Sequence, residues 1–197
     1  MRGQATDKGL EHIRGMEHLE SVCLQSAWGI TDTGIAHLAT LPKLTRFCTN
    51  SAEQLTDESL RHFGGVKTLE DVMIDGARFS DVGLKHLQGM KQLKNLGLVS
   101  YEALITDEGL SAFAKHTELE SLSLENTLIT DVGLKHLHGL KNLTELELSR
   151  SAVTPAGLAS LRKVLPKLKS APQGTSGGPW RAKKPTAANP PEPNPFK

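Results

Sequence analysis

One short phrase constrains this chain more than any other feature: a Thr-Asp-x-Gly-Leu element that returns seven times. It reads ATDKGL at 5–10, ITDTGI at 30–35, LTDESL at 55–60, FSDVGL at 79–84, ITDEGL at 105–110, ITDVGL at 129–134 and VTPAGL at 153–158. The steps between Asp7, Asp32, Asp57, Asp81, Asp107, Asp131 and Pro155 are 25, 25, 24, 26, 24 and 24 residues. Between these elements six segments read L-x-x-L-x-L, from Leu19, Val22 and Leu24 to Leu143, Leu146 and Leu148. Each unit thus pairs a helical half, with apolar residues at three- and four-residue steps, with a strand half in which apolar and polar residues alternate. A unit of this length cannot bury both apolar faces alone. Stacking on its neighbours does so, which makes the chain a solenoid.

The phrase has local physical sense. Thr or Ser before Asp is a good helix start, since the hydroxyl caps free N–H groups and the carboxylate suits the positive end of the helix dipole. Pro155 fits the same place, because a first helical turn tolerates proline. Glycine two residues after the aspartate disfavours helix by about 1 kcal/mol relative to alanine, so its recurrence points to close approach of neighbouring coils.

These units resemble leucine-rich repeats, specifically the cysteine-containing subclass of F-box substrate adaptors and bacterial repeat proteins. The resemblance rests on small residues or Thr after the L-x-L, at Ala27, Ala52, Ala77, Thr127 and Ser151, where other subclasses carry asparagine; Tyr101 is aligned there too. No F-box segment is present, so an adaptor role is not implied. The expected fold is α/β: a right-handed horseshoe of six to seven repeats, with a parallel sheet on the concave face and helices on the convex face. Residues 1–170 form this solenoid, and 171–197 are expected to be a disordered tail, with seven of the ten prolines and four basic residues against one acidic.

The net charge of +1 gives no global pull toward nucleic acid or anionic membrane. No run approaches the roughly 18 apolar residues of a membrane helix, and the charged start MRGQATDKGLEHIRGMEHLE lacks the apolar core of a signal peptide. The two cysteines, Cys23 and Cys48, have no metal-type spacing and are expected to be free thiols in the cytoplasm.

On parallel strands about 4.8 Å apart, equivalent outward residues form columns. One column runs Ser21, Arg46, Asp71, Asn95, Ser121, Glu145; the next Cys23, Cys48, Met73, Gly97, Ser123, Glu147; the third Gln25, Asn50, Asp75, Val99, Glu125, Ser149. Such side chains project alongside one another rather than converging, and no Ser-His-Asp set or phosphate loop occurs, so neither catalytic residues, metal ligands nor a cofactor is expected. A column of His12, His37, His62, His86 and His136 reads as copies of one template and predicts lower stability at pH 5 than at pH 7. Thr49 and His116 stand in apolar columns and read as tolerated core polar groups.

The expected function is non-catalytic: the concave face binds a protein partner. The candidate contacts are Arg46, Asp71, Met73, Asp75 and Glu125, with the loop aromatics Trp28 and Tyr101, since interface energy concentrates in Trp, Tyr and Arg. The alternative is a structural or assembly element, or a fragment of a larger repeat protein, stacking through its first coil; the chain is then a monomer or self-associates weakly through that end.

Overall fold

The computed structural model describes residues 5–170; the sequence-based expectation for residues 171–197 lies outside them. Helical and extended segments alternate: α1 (Asp7–Glu11), β1 (Ser21–Leu24), α2 (Asp32–Leu38), β2 (Arg46–Thr49), α3 (Asp57–Gly64), β3 (Asp71–Ala77), α4 (Asp81–His86), β4 (Asn95–Ser100), α5 (Asp107–Leu110), β5 (Ser121–Glu125), β6 (Glu145–Glu147), α6 (Pro155–Val164) and β7 (Lys169–Ser170). The strands form one parallel sheet in chain order, β1 to β7. Its registers pair Ser21 with Arg46, Arg46 with Asp71, Asp71 with Asn95, Asn95 with Ser121, and Ser121 with Glu145. The fold is a leucine-rich-repeat horseshoe, as the repeat period requires.

What joins one coil to the next is a carboxylate. Asp7, Asp32, Asp57, Asp81, Asp107 and Asp131 each reach the Thr or Ser that starts the following helix, Thr31, Thr56, Ser80, Thr106, Thr130 and Thr154. One oxygen accepts that residue's backbone N–H at 2.7–3.0 Å. The other accepts its hydroxyl at 2.5–2.7 Å. The same hydroxyl accepts a backbone N–H of its own first turn, as in Thr31 from Thr33 and Thr106 from Glu108. The hydroxyl therefore caps its helix while binding the neighbour, and the aspartate acts mainly between coils rather than on its own helix dipole.

The glycine follows from this bridge. A Cβ on Gly34, Gly83, Gly109, Gly133 or Gly157 would collide with the bridging carboxylate of Asp7, Asp57, Asp81, Asp107 or Asp131. Ser59, which replaces glycine in α3, turns the contact into another hydrogen bond by donating to Asp32.

Between sheet and helices runs a continuous apolar core, including Leu44, Leu69, Leu93, Leu119 and Leu143, all fully buried. Each such side chain contributes about 1.5–3 kcal/mol through removal from water. Phe47 of β2 and Phe63 of α3 pack with ring centroids 5.0 Å apart, a tilted aromatic pair bridging sheet and helix layers.

The helical halves vary more than their shared phrase suggests. In α5 the turn continues as a 3-10 segment over Ser111–Phe113, and the phrase copy at 129–134 forms only a 3-10 turn, Gly133–Leu137. Lateral packing against adjacent coils, not helix propensity, holds so short an element.

Of the two polar residues in apolar columns, Thr49 is buried with a long hydroxyl contact to the Asn50 carbonyl at 3.4 Å. His116 is fully buried, edge-on to Phe113, with Nε2 3.1 Å from the Leu87 carbonyl and Nδ1 without a partner. Burial, reinforced by Lys91, holds its pKa below the ordinary 6.5. At Asp131 the Thr154 hydroxyl and N–H hold the carboxyl below its ordinary 3.8.

Three outcomes follow for unfolding measured in urea. Gly109→Ala destabilises by about 1–3 kcal/mol by forcing the Asp81 bridge apart, whereas Gly89→Ala, whose new methyl meets nothing closer than Lys67 Nζ at 3.6 Å, stays within about 0.5 kcal/mol. Wild-type stability falls as pH drops below 6.5, because the unfolded histidine takes up a proton that buried His116 resists; His116→Met flattens that part of the curve. A further fall begins below the ordinary aspartate pKa of 3.8 and completes as pH passes the depressed folded value of Asp131.

Candidate functional site

The alternation of each strand turns its leucines into the core and leaves three columns on the concave face, aligned coil to coil by the parallel register. Five acids, Asp71, Asp75, Glu125, Glu145 and Glu147, stand there against two bases, Arg46 and Lys169, the latter register-paired with Glu145.

Arg46 is already engaged. Its Nε and Nη2 donate to one oxygen of Asp71 at 3.0 and 2.9 Å, and the Asn95 amide donates to the other. A polar tie thus crosses β2, β3 and β4, and the remaining Asn95 oxygen is buried without a partner. Asp71 is accordingly a structural anchor of this face. Met73 and Asp75 lie beside it on β3, half-buried.

The aromatic candidates stand on the loops following the strands. Trp28 is 47 % exposed and its carbonyl accepts from the Gln54 side chain. Tyr101 is 55 % exposed, and its ring lies over Gly76, where the backbone is left-handed (φ 86°) and a Cβ would meet the ring at 3.0 Å. Its hydroxyl donates to Glu53 at 3.2 Å, so an aromatic of the fourth repeat reaches the loop of the second. Desolvation and then the Glu53 charge push the phenol pKa up. Asn126 fixes the loop by donating to the carbonyls of Ser100 and Tyr101 at 2.9 and 3.0 Å.

Two readings of the sequence change here. Tyr101 does not occupy the buried column of Ala27, Ala52 and Ala77: Ser100, buried and register-paired with Ala77, takes that place. The register shift between Asp75 and Ala77 absorbs the longer loop and ejects the tyrosine. Cys23 and Cys48, expected as free thiols, form a disulfide. The register sets them opposite each other with Cα atoms 4.6 Å apart, within disulfide reach. The bond staples β1 to β2 on the concave surface.

Glu53 and the Asn95 bridge escaped the sequence reading. Glu53 lies in a loop with no periodic signal, and the role of Asn95 depends on which neighbours the register supplies. No group of three or more His, Cys, Asp or Glu suited to a metal ion occurs among the described residues, and no described helix is long and apolar enough to cross a membrane.

At residues 139–161 the chain matches the family described as Leucine Rich repeat. Among solved structures it is similar to the internalin inlF of Listeria monocytogenes, with TM-score 0.58, 24 % identity, and coverage of 84 % of this chain and 51 % of that one. It is also similar to internalin C2 of the same organism, with TM-score 0.61, 21 % identity and coverage of 81 % and 74 %. The structure of PEPR1-AtPEP1 gives TM-score 0.53 and 16 % identity, covering 88 % of this chain and 23 % of that one. These likenesses are likenesses of fold. This chain spans about half the length of inlF, and no curated protein matches it.

Reduction of the staple reopens a 25-residue separation, and loss of such a cross-link costs about 3 kcal/mol in the loop-entropy account. We therefore expect dithiothreitol, or Cys23→Ser with Cys48→Ser, to lower the melting temperature; equal melting with and without reductant would show that the bond adds no stability.

Proposed function

We propose that the concave sheet is a non-catalytic docking face for a protein segment carrying a basic patch. The observation that carries this reading is the imbalance of charge on that face, whose single arginine is already bound to Asp71. Carboxylates arrayed on one surface favour cationic partners in approach and register. Trp28 and Tyr101, exposed on the adjoining loops, supply rigid aromatic area of the kind in which interface energy concentrates.

The cysteine-containing subclass stays part of the same proposal, supported by the buried Ala27, Ala52 and Ala77. So does a cytoplasmic location; there the Cys23–Cys48 pair would stand reduced, whereas an oxidising compartment would preserve the bond.

A second reading, assembly through the first coil, is favoured by one observation: Met16 is exposed while Ile13, Leu19 and Leu24 are only partly buried. A further coil stacked there would cover them. Concentration-dependent association in size-exclusion chromatography, lost in Met16→Lys, supports this second reading.

For the docking face the test is recovery of a partner by the full chain, followed by affinity measurement with variants. Asp75→Lys and Glu145→Lys each weaken a partner held on this face by about tenfold or more, the equivalent of 1.4 kcal/mol, and Trp28→Ala weakens it further. Asp71 is a poorer choice, since its reversal also breaks the tie to Arg46 and Asn95. Unchanged affinity in all three variants overturns the reading.

A further inference from the structure

The chain's two cysteines meet at one seam, between the first coil and the second. Among the described strands β1 lies at the edge of the sheet and pairs with β2 alone, so the first coil (residues 6–24) is held from one side. It also packs thinly. In the second coil Ile35, Leu38, Leu44 and Phe47 are fully buried; in the first, Leu10 and Val22 are buried, Ile13, Leu19 and Leu24 only partly so, and Met16 is exposed. α1 has five residues, too few to stand as a helix without tertiary packing. The non-covalent hold on the second coil is short: the Asp7 clasp on Thr31, the Glu20 carbonyl, which accepts from Thr45 and Arg46 at 2.9 and 3.1 Å, and the register of Ser21–Leu24 on Arg46–Thr49. Against it stands the conformational entropy of ordering every residue of the coil, and a terminal unit of a solenoid opens without unfolding the units beyond its neighbour.

We propose that the Cys23–Cys48 bond is a redox latch: oxidised, it keeps the first coil on the solenoid; reduced, it releases that coil while the later coils stay folded. Cys23 is exposed on the concave face and Cys48 is half-buried beside it, so a dithiol reductant has access at the Cys23 sulfur. The reductant's thiolate attacks Cys23 Sγ and breaks the bond between the two sulfurs; Cys48 leaves as a thiolate and takes up a proton. The second thiol of the reductant then displaces Cys23, which also leaves as a thiol, and the reductant ends as a cyclic disulfide. Two electrons and two protons thereby pass to the protein. Release takes Val22 off its register partner Phe47 and bares the edge of β2, whose freed backbone groups can pair with another strand. It also removes the surface around Met16. That last consequence matters for assembly only if the assembly reading above holds; the release of the coil rests on neither reading of function.

Amide hydrogen exchange on the full chain tests the latch in the oxidised protein, after dithiothreitol, and after reoxidation with glutathione disulfide. In the oxidised protein the amides of Leu10, Ile13, Met16 and Leu19, bonded within the coil, and those of Thr45 and Arg46, bonded to Glu20, are protected. Reduction removes that protection, and these amides exchange at the rate of an unstructured peptide. The amides of Glu120, Ser121 and Leu128, bonded to Lys94 and Ile105, stay protected, which shows that the later coils remain folded. Cys23→Ser with Cys48→Ser gives the reduced pattern with or without reductant, and reoxidation restores protection in the wild type. First-coil amides that stay protected in the reduced protein or in the double variant overturn the proposal. So does loss of protection in every coil together, which makes the bond a support of the whole fold rather than a latch on one coil. Neither partner affinity nor association is read here, so the readings of function and the latch fail separately.

Discussion

Every other feature of this solenoid depends on the bond that one aspartate makes to the next helix start. In a repeat protein each unit contacts chiefly its immediate neighbours, so its shape is set by what happens between them. Here the Asp side chain accepts from both the backbone and the hydroxyl of the Thr or Ser one repeat on. That pair of bonds fixes the rotation of one coil on the next as well as its distance. It also satisfies a backbone donor at a helix start that would otherwise be left open. Pro155 takes the aspartate's place in α6, beyond which no further helix occurs among the described residues. Among the described residues, no later helix start is available for a bridge from this position.

Regular stacking on one side produces a regular surface on the other. Because the coils hold one register, each outward residue acquires two predictable neighbours, and the consequences differ by position. Arg46, Asp71 and Asn95 become a tie across three strands, and Cys23 and Cys48 become a covalent staple. Asp75, Glu125 and Glu145 make the face predominantly acidic, with Lys169 in register beside Glu145. The same geometry that spreads the carboxylates along strands also keeps them from gathering around a single centre.

The repeat is broken in one place with a visible effect. Between β4 and α5 the longer loop shifts the register at Asp75 to Ala77, puts Ser100 into the core position and presents Tyr101 outward over Gly76. Because Gly76 has no side chain, the ring can lie against its backbone, and the Tyr101 hydroxyl reaches Glu53. An irregularity in a repetitive scaffold thus supplies a second exposed aromatic in addition to Trp28.

The period of 24 to 26 residues and the L-x-x-L-x-L strands made the horseshoe, its parallel sheet and its outward columns legible from residue spacing alone, since periodic burial leaves a periodic trace. The glycine's close approach was legible as well, though not its cause: the Asp–Thr bridge joins residues 23 to 25 apart and becomes visible only when two coils lie side by side. Whether Cys23 and Cys48 meet, whether Tyr101 is core or surface, and whether Asp71 is a free contact or a bound anchor were decided by register and by a single bulge. A sequence repeats its template explicitly. It does not state how a local insertion slides one copy past the next, and only the folded sheet, where each side chain is judged by its neighbours in adjacent strands, decides that.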